Sequence, residues 1–125
     1  MFLSIDIGTS SIKSALFNRE AEIVEDSLDS IVHEQSFTKS GGVEEDPIKL
    51  FNSTLESVSR LNTYVLEHNY KVLSVSITSI VSTLVGLDSK YDPITPVYLY
   101  SDTRLSLIHI SEPTRPERIG DGVVG

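Results

Sequence analysis

The densest chemistry in the sequence lies within its first thirteen residues. Asp6, Gly8, Thr9, Ser10, Ser11 and Lys13 put a carboxylate, a small turn, three hydroxyls and an ammonium into one strand–turn–strand unit. Each has a task against a phosphate. Gly8 lets the backbone pass close to an anion, N–H groups and hydroxyls donate to phosphate oxygens, Lys13 brings positive charge, and Asp6 can hold Mg²⁺ through water. The unit is not a Walker loop: its turn joins two strands and does not open a helix, so neither a P-loop nor a dinucleotide-binding reading is supported. An ordinary polar hairpin turn accounts for the same residues, and on this stretch alone both readings stand.

The elements that must carry this unit follow from patterning. Residues 2–6 form a short apolar run ending at a carboxylate, a buried strand feeding a turn. In the next strand Ile12, Ser14 and Leu16 lie on one face and Lys13, Ala15 and Phe17 on the other, with residues 18–21 as the hairpin connection. Residues 22–32 read as an edge strand with an acidic solvated face, completing an antiparallel meander, and residues 33–42 read as a mobile loop. Asp46 as N-cap and Pro47 as first helical residue open a helix to about His68, with Leu50, Val58, Leu61 and Val65 at helical spacing. Residues 72–77 are β-branched and read as a parallel strand reached by crossover. A second hairpin through Asp88 and a last strand at residues 97–100 follow. Residues 105–125 lack periodicity and resemble translated sequencing-adaptor read-through, so they are set apart from the fold as a non-native or disordered tail.

Composition narrows the classes. The chain has 125 residues, room for one domain or part of a larger one. Its 39% hydrophobic content supports a packed core, and a net charge of −8 disfavours broad nucleic-acid binding. Without cysteine there are no disulfides or thiolate metal sites. No apolar run reaches the length of a membrane span and no secretion signal opens the chain, so a soluble cytoplasmic protein, with no membrane partner, is expected. The scattered His33, His68 and His109 are expected to face solvent.

Three stretches resemble the FGGY carbohydrate kinases, members of the actin-like ATPase and sugar kinase superfamily. Residues 5–17 resemble the family's first phosphate motif in its hairpin position. Glu45, Asp46 and Pro47 are similar to the acidic dipeptide and proline that start its first long helix. Residues 76–88, with 95–104 after them, are similar to its sugar-contacting hairpin and following strand, most like the gluconate-kinase branch. The resemblance covers residues 1–104 and implies part of the first of two lobes, an α/β fold with a mixed, ribonuclease-H-like sheet and one long helix. It leaves the sheet incomplete, so marginal stability or association is expected.

By this resemblance the cofactors are ATP and Mg²⁺. Asp6 lies near the metal and the transferred phosphate, Gly8, Thr9, Ser10 and Ser11 meet nucleotide phosphates, and Lys13 falls where the family often has a basic residue. The substrate side takes Val81, Ser82, Tyr100, Asp102 and Arg104, with Tyr100 where an aromatic packs on the sugar carbon chain. Many members have Met and His where this chain has Val81 and Ser82, which leaves the sugar open. Asp102 and Arg104 fit a buried ion pair equally well. The family's catalytic aspartate and most of its adenosine site fall beyond Arg104, so the chain alone is expected to be silent. An actin-like or chaperone-like ATPase, and a non-enzymatic acidic interaction domain using residues 20–45, are the competing classes.

Overall fold

The computed structural model of the chain describes residues 1–99. In chain order its elements are β1 (Phe2–Ile7), β2 (Ser11–Phe17), β3 (Asp29–Val32), β4 (Ser36–Phe37), β5 (Val43–Glu45), α1 (Pro47–Glu67), β6 (Ser74–Thr78) and β7 (Val97–Tyr98). Four strands form a mixed sheet in the order β3-β2-β1-β6, antiparallel from β3 to β1 and parallel between β1 and β6. A smaller sheet runs β4-β5-β7. The mixed α/β architecture with one long helix is as expected.

Alternation along the strands sets the layers. Leu3 and Ile5 of β1 share a face with Ile12, Ser14 and Leu16 of β2, and α1 covers that face with Leu61 and Val65. The helix starts where the sequence places it. The Asp46 carboxylate accepts from the N–H groups of Ile48 (2.9 Å) and Lys49 (3.3 Å), and Pro47 fills the first helical position, where a missing N–H is harmless. It stops as Asn69 takes a left-handed φ of 53° and the Tyr70 N–H returns to the Val65 carbonyl.

A buried polar thread crosses the helix–sheet interface. Ser57 donates to the Asp29 carboxylate (2.9 Å), which can only accept, so the 2.5 Å contact between Ser57 and Ser14 has Ser14 as donor. Both hydroxyls are almost fully buried and both are satisfied. Arg60 closes the outer end on Asp29 at 3.3 Å.

Three sequence expectations change. Only Asp29–Val32 of the segment 22–32 is a strand. Ile23 makes a lone bridge to Phe17, and Asp26 within the segment takes a left-handed φ of 58°, which a strand cannot contain; Ala21 just before it, at φ 61°, turns in the hairpin connection. The Ser27 hydroxyl then ties the turn back, donating to the Val24 carbonyl and accepting from the Leu16 N–H. Residues 33–42 are not a bare loop, since they carry β4, whose Phe37 pairs with Val43 of β5 around a turn with Gly41 at φ 83°. The second hairpin reduces to isolated bridges, Leu84 to Tyr98 and Leu87 to Pro93. Among the described residues no helix is long and apolar enough to cross a membrane.

Candidate functional site

Asp6 stands near the end of β1, in register with Lys13 on β2 and Thr78 on β6. The three side chains therefore lie side by side on the face opposite α1. Thr78 donates its hydroxyl to Asp6 Oδ1 at 2.8 Å.

The chain then reverses through residues 8–11. The Gly8 N–H donates to the Ser11 carbonyl at 2.9 Å, and a Cβ on Gly8 would sit 3.0 Å from that oxygen. Glycine is required here by close approach: its φ is not in the left-handed region. Thr9 and Ser10 are exposed at the tip.

A cleft of about 380 Å³ opens beside this turn, lined by residues 6–9 on one wall and residues 79–82 on the other. The parallel pairing of β1 with β6 brings the walls together, because both strands deliver the chain to the same end of the sheet. Asp6, Gly8 and Thr9 thus meet Val81 and Ser82, two groups of residues that sequence patterning treats separately. Val81 is 79% exposed. Ser82 is no strand residue: it sits in a turn with φ 56°, a conformation uncommon for serine. Ser10, Ser11 and Lys13 belong to the hairpin but do not line the cleft. Tyr100, Asp102 and Arg104 lie outside the described residues, as does the tail 105–125. Asp88 acts locally, its carboxylate accepting from the N–H groups of Lys90 and Asp92.

His33 is the clearest departure from expectation. Its side chain is only 5% exposed, lying 2.5 Å from Glu45 Oε1 through Nδ1 and 2.8 Å from the Gly8 carbonyl through Nε2. Burial pushes the Glu45 carboxyl above the usual carboxylate range, against the opposing pull of His33. His68, by contrast, is exposed and stacks on both Tyr64 and Tyr70, which also face each other at 6.2 Å. Gln35 joins the same region, donating to the Thr9 carbonyl at 2.8 Å. No local signal marks His33, Gln35 or Glu45; their meeting depends on the short β4–β5 hairpin that the sequence hides.

The donor set suits a phosphate with its metal better than a metal cage. Among the described residues no three carboxylate or imidazole groups gather for an ion. Asp6, the one carboxylate lining the cleft, has one oxygen engaged by Thr78, which matches how Mg²⁺ is held by one or two carboxylates together with phosphates and water.

The N-terminal domain of the FGGY family of carbohydrate kinases matches residues 1–118. The chain is 34% identical to the xylulose kinase of Staphylococcus xylosus over 106 residues, covering 83% of this chain and 21% of that one. It is 27% identical to the gluconokinase of Bacillus subtilis, covering 82% and 19%. Among solved structures it superposes on the gluconate kinase of Lactobacillus acidophilus with a TM-score of 0.73 at 26% identity, covering 85% and 21%. On the Plasmodium falciparum glycerol kinase with ADP the TM-score is 0.74 at 26% identity, covering 94% and 24%. The similarity spreads over xylulose, glycerol and gluconate kinases and singles out no branch. The chain spans about a fifth of the length of the curated relatives it matches. With this match over residues 1–118, the chain belongs to the FGGY family of carbohydrate kinases.

Proposed function

We propose that this chain contributes the phosphate-side wall and part of the sugar-side wall of an ATP-dependent kinase acting on a hydroxyl of a sugar or sugar acid. The observation that carries this reading is the single cleft shared by residues 6–9 and 79–82. Transfer between a nucleotide and a polyol needs both partners within bonding reach, and a turn rich in donors facing a second polar turn provides for that. The likeness to a glycerol kinase solved with ADP supports a nucleotide as the phosphate-bearing ligand.

In this reading the 8–11 turn holds nucleotide phosphates through its N–H groups and the hydroxyls of Thr9, Ser10 and Ser11, with Lys13 adding charge from β2. Asp6, oriented by Thr78, holds Mg²⁺ through water. An ion held by Asp6 would supply the charge neutralisation that phosphoryl transfer calls for. Ser82 offers a hydroxyl to the substrate and Val81 an apolar contact, with Tyr100, Asp102 and Arg104 completing the substrate side. Neither Val81 nor Ser82 can supply a charged donor, which favours a neutral polyol chain at this wall. A gluconate-like acid is the favoured substrate, supported by the likeness to the Lactobacillus acidophilus enzyme, with its carboxylate read by groups outside this pair.

The proton acceptor for the hydroxyl is not among the residues assigned here, so the chain alone should bind and not turn over. Titrating the ¹⁵N-labelled chain with Mg-ATP is expected to shift the amides of residues 6–13. Absence of shifts at millimolar nucleotide would favour the acidic interaction domain, and sugar-dependent ADP production by the chain alone would contradict the division of labour.

A further inference from the structure

The carbonyl oxygens of the 8–11 turn are all engaged. Gly8 O lies 2.8 Å from His33 Nε2, Thr9 O accepts from Gln35 Nε2 at 2.8 Å, Ser10 O from the His33 N–H at 3.1 Å, and Ser11 O from the Gly8 N–H at 2.9 Å. The N–H groups of Thr9 and Ser10, in contrast, have no protein acceptor among the described residues. The turn therefore shows its positive dipole ends outward and has its negative ends tied back to the start of β4, the polarity an anion requires.

The chemistry of the tie is determined by its partners. A carbonyl only accepts, so His33 Nε2 carries a proton and donates to Gly8. Nδ1 then faces Glu45 Oε1 at 2.5 Å, a distance that requires a proton on one of the two atoms. Whichever holds it, Nε2 keeps its own proton for the Gly8 carbonyl, and Glu45 holds the ring in place from the other side. With side chains only 5% and 3% exposed, the pair has no freedom to turn away.

We infer that His33, steered by Glu45, and Gln35 are positioning residues that preset the 8–11 turn, holding its carbonyls back so that its free N–H groups face an incoming phosphate. The functional half of this inference rests on the phosphate reading of the turn; the geometric half does not.

Two measurements on the 125-residue chain separate the halves: hydrogen exchange at the Gly8 amide, and Mg-ATP affinity from amide shifts. His33→Leu should raise Gly8 exchange about tenfold and weaken nucleotide binding about fivefold, the loss of a neutral hydrogen bond expressed as a ratio. The Leu16 and Val24 amides should be unchanged. His33→Gln, whose amide nitrogen can replace Nε2 as donor, should restore both readouts to within about twofold, a rescue that core filling alone would not give. If His33→Leu fails to fold, Gln35→Ala at the surface carries the same test. Faster Gly8 exchange in His33→Leu, alongside a wild-type chain that shows no nucleotide shifts, would remove the phosphate reading and support the positioning of the turn. Unchanged Gly8 exchange and nucleotide affinity in His33→Leu and in Gln35→Ala, or a His33→Gln variant as impaired as His33→Leu, would overturn the inference.

Discussion

β1 has two neighbours with opposite fates. Leu3 faces Leu16 on β2 and Val75 on β6, so all three side chains belong to one face of the sheet. Yet Leu16 is fully buried, whereas Val75 is 56% and Ile77 62% exposed. Both strands alternate, and both are paired along their length. The difference is cover: α1 packs on β2 and β3, and its Leu61 and Val65 join Leu3, Ile5, Ile12 and Leu16 in one core that includes no residue of β6. Alternation tells which side chains share a face, and only the tertiary fold tells which part of that face is dry.

Mutations should follow this divide. Leu16→Ala empties a fully buried site and is expected to cost about 2–5 kcal/mol in urea unfolding, the largest single effect in the chain. Ser57→Ala leaves the buried Ser14 hydroxyl without its acceptor and should cost about 1–3 kcal/mol by the same measurement, showing that the covered half also depends on its polar thread. Asp46→Ala removes the cap that orients the covering helix, for about 1 kcal/mol, read from the thermal midpoint or helical circular dichroism.

The buried Glu45 should produce a slope with pH in place of a step. Its carboxyl titrates higher in the folded chain than in the unfolded one, so its protonated form is the one the fold favours. That contribution is complete below the unfolded value and is lost as pH rises through the raised folded value. Urea midpoints across acidic to neutral pH should fall over this window in the wild type and lose that component in Glu45→Gln. At the small end, Ile77→Thr on the uncovered half should change stability by no more than about 0.5 kcal/mol. A cost near that of Leu16→Ala would mean that β6 is covered in solution.

The parts read correctly from sequence are those with strong local signals. A short apolar run ending at Asp6 marked β1, period-two alternation marked β2, and a proline, a cap and period-3.6 leucines and valines marked α1. The short elements were hidden for a physical reason. Asp26 breaks the acidic strand with a left-handed turn that is lost among the neighbouring acidic residues, and β4 has only two residues, both exposed. At the site, the Asp6-to-Lys13 hairpin is visible in the sequence as a local motif. Its junction with Val81 and Ser82 needs the β1–β6 register, the placement of His33 against Gly8 needs the β2–β3 register, and the approach of Glu45 to His33 needs the β4–β5 pairing. These are tertiary facts that no window of neighbouring residues contains.

The bond from Thr78 to Asp6 spans 72 residues of chain. The β1–β2 hairpin closes through a turn of four residues, so it can form as soon as it leaves the ribosome; β6 cannot dock until the whole of α1 has been synthesised. A nascent polypeptide halted before residue 74 would own the 8–11 turn without the opposite wall at residues 79–82, so the cleft takes shape only once the helix is complete.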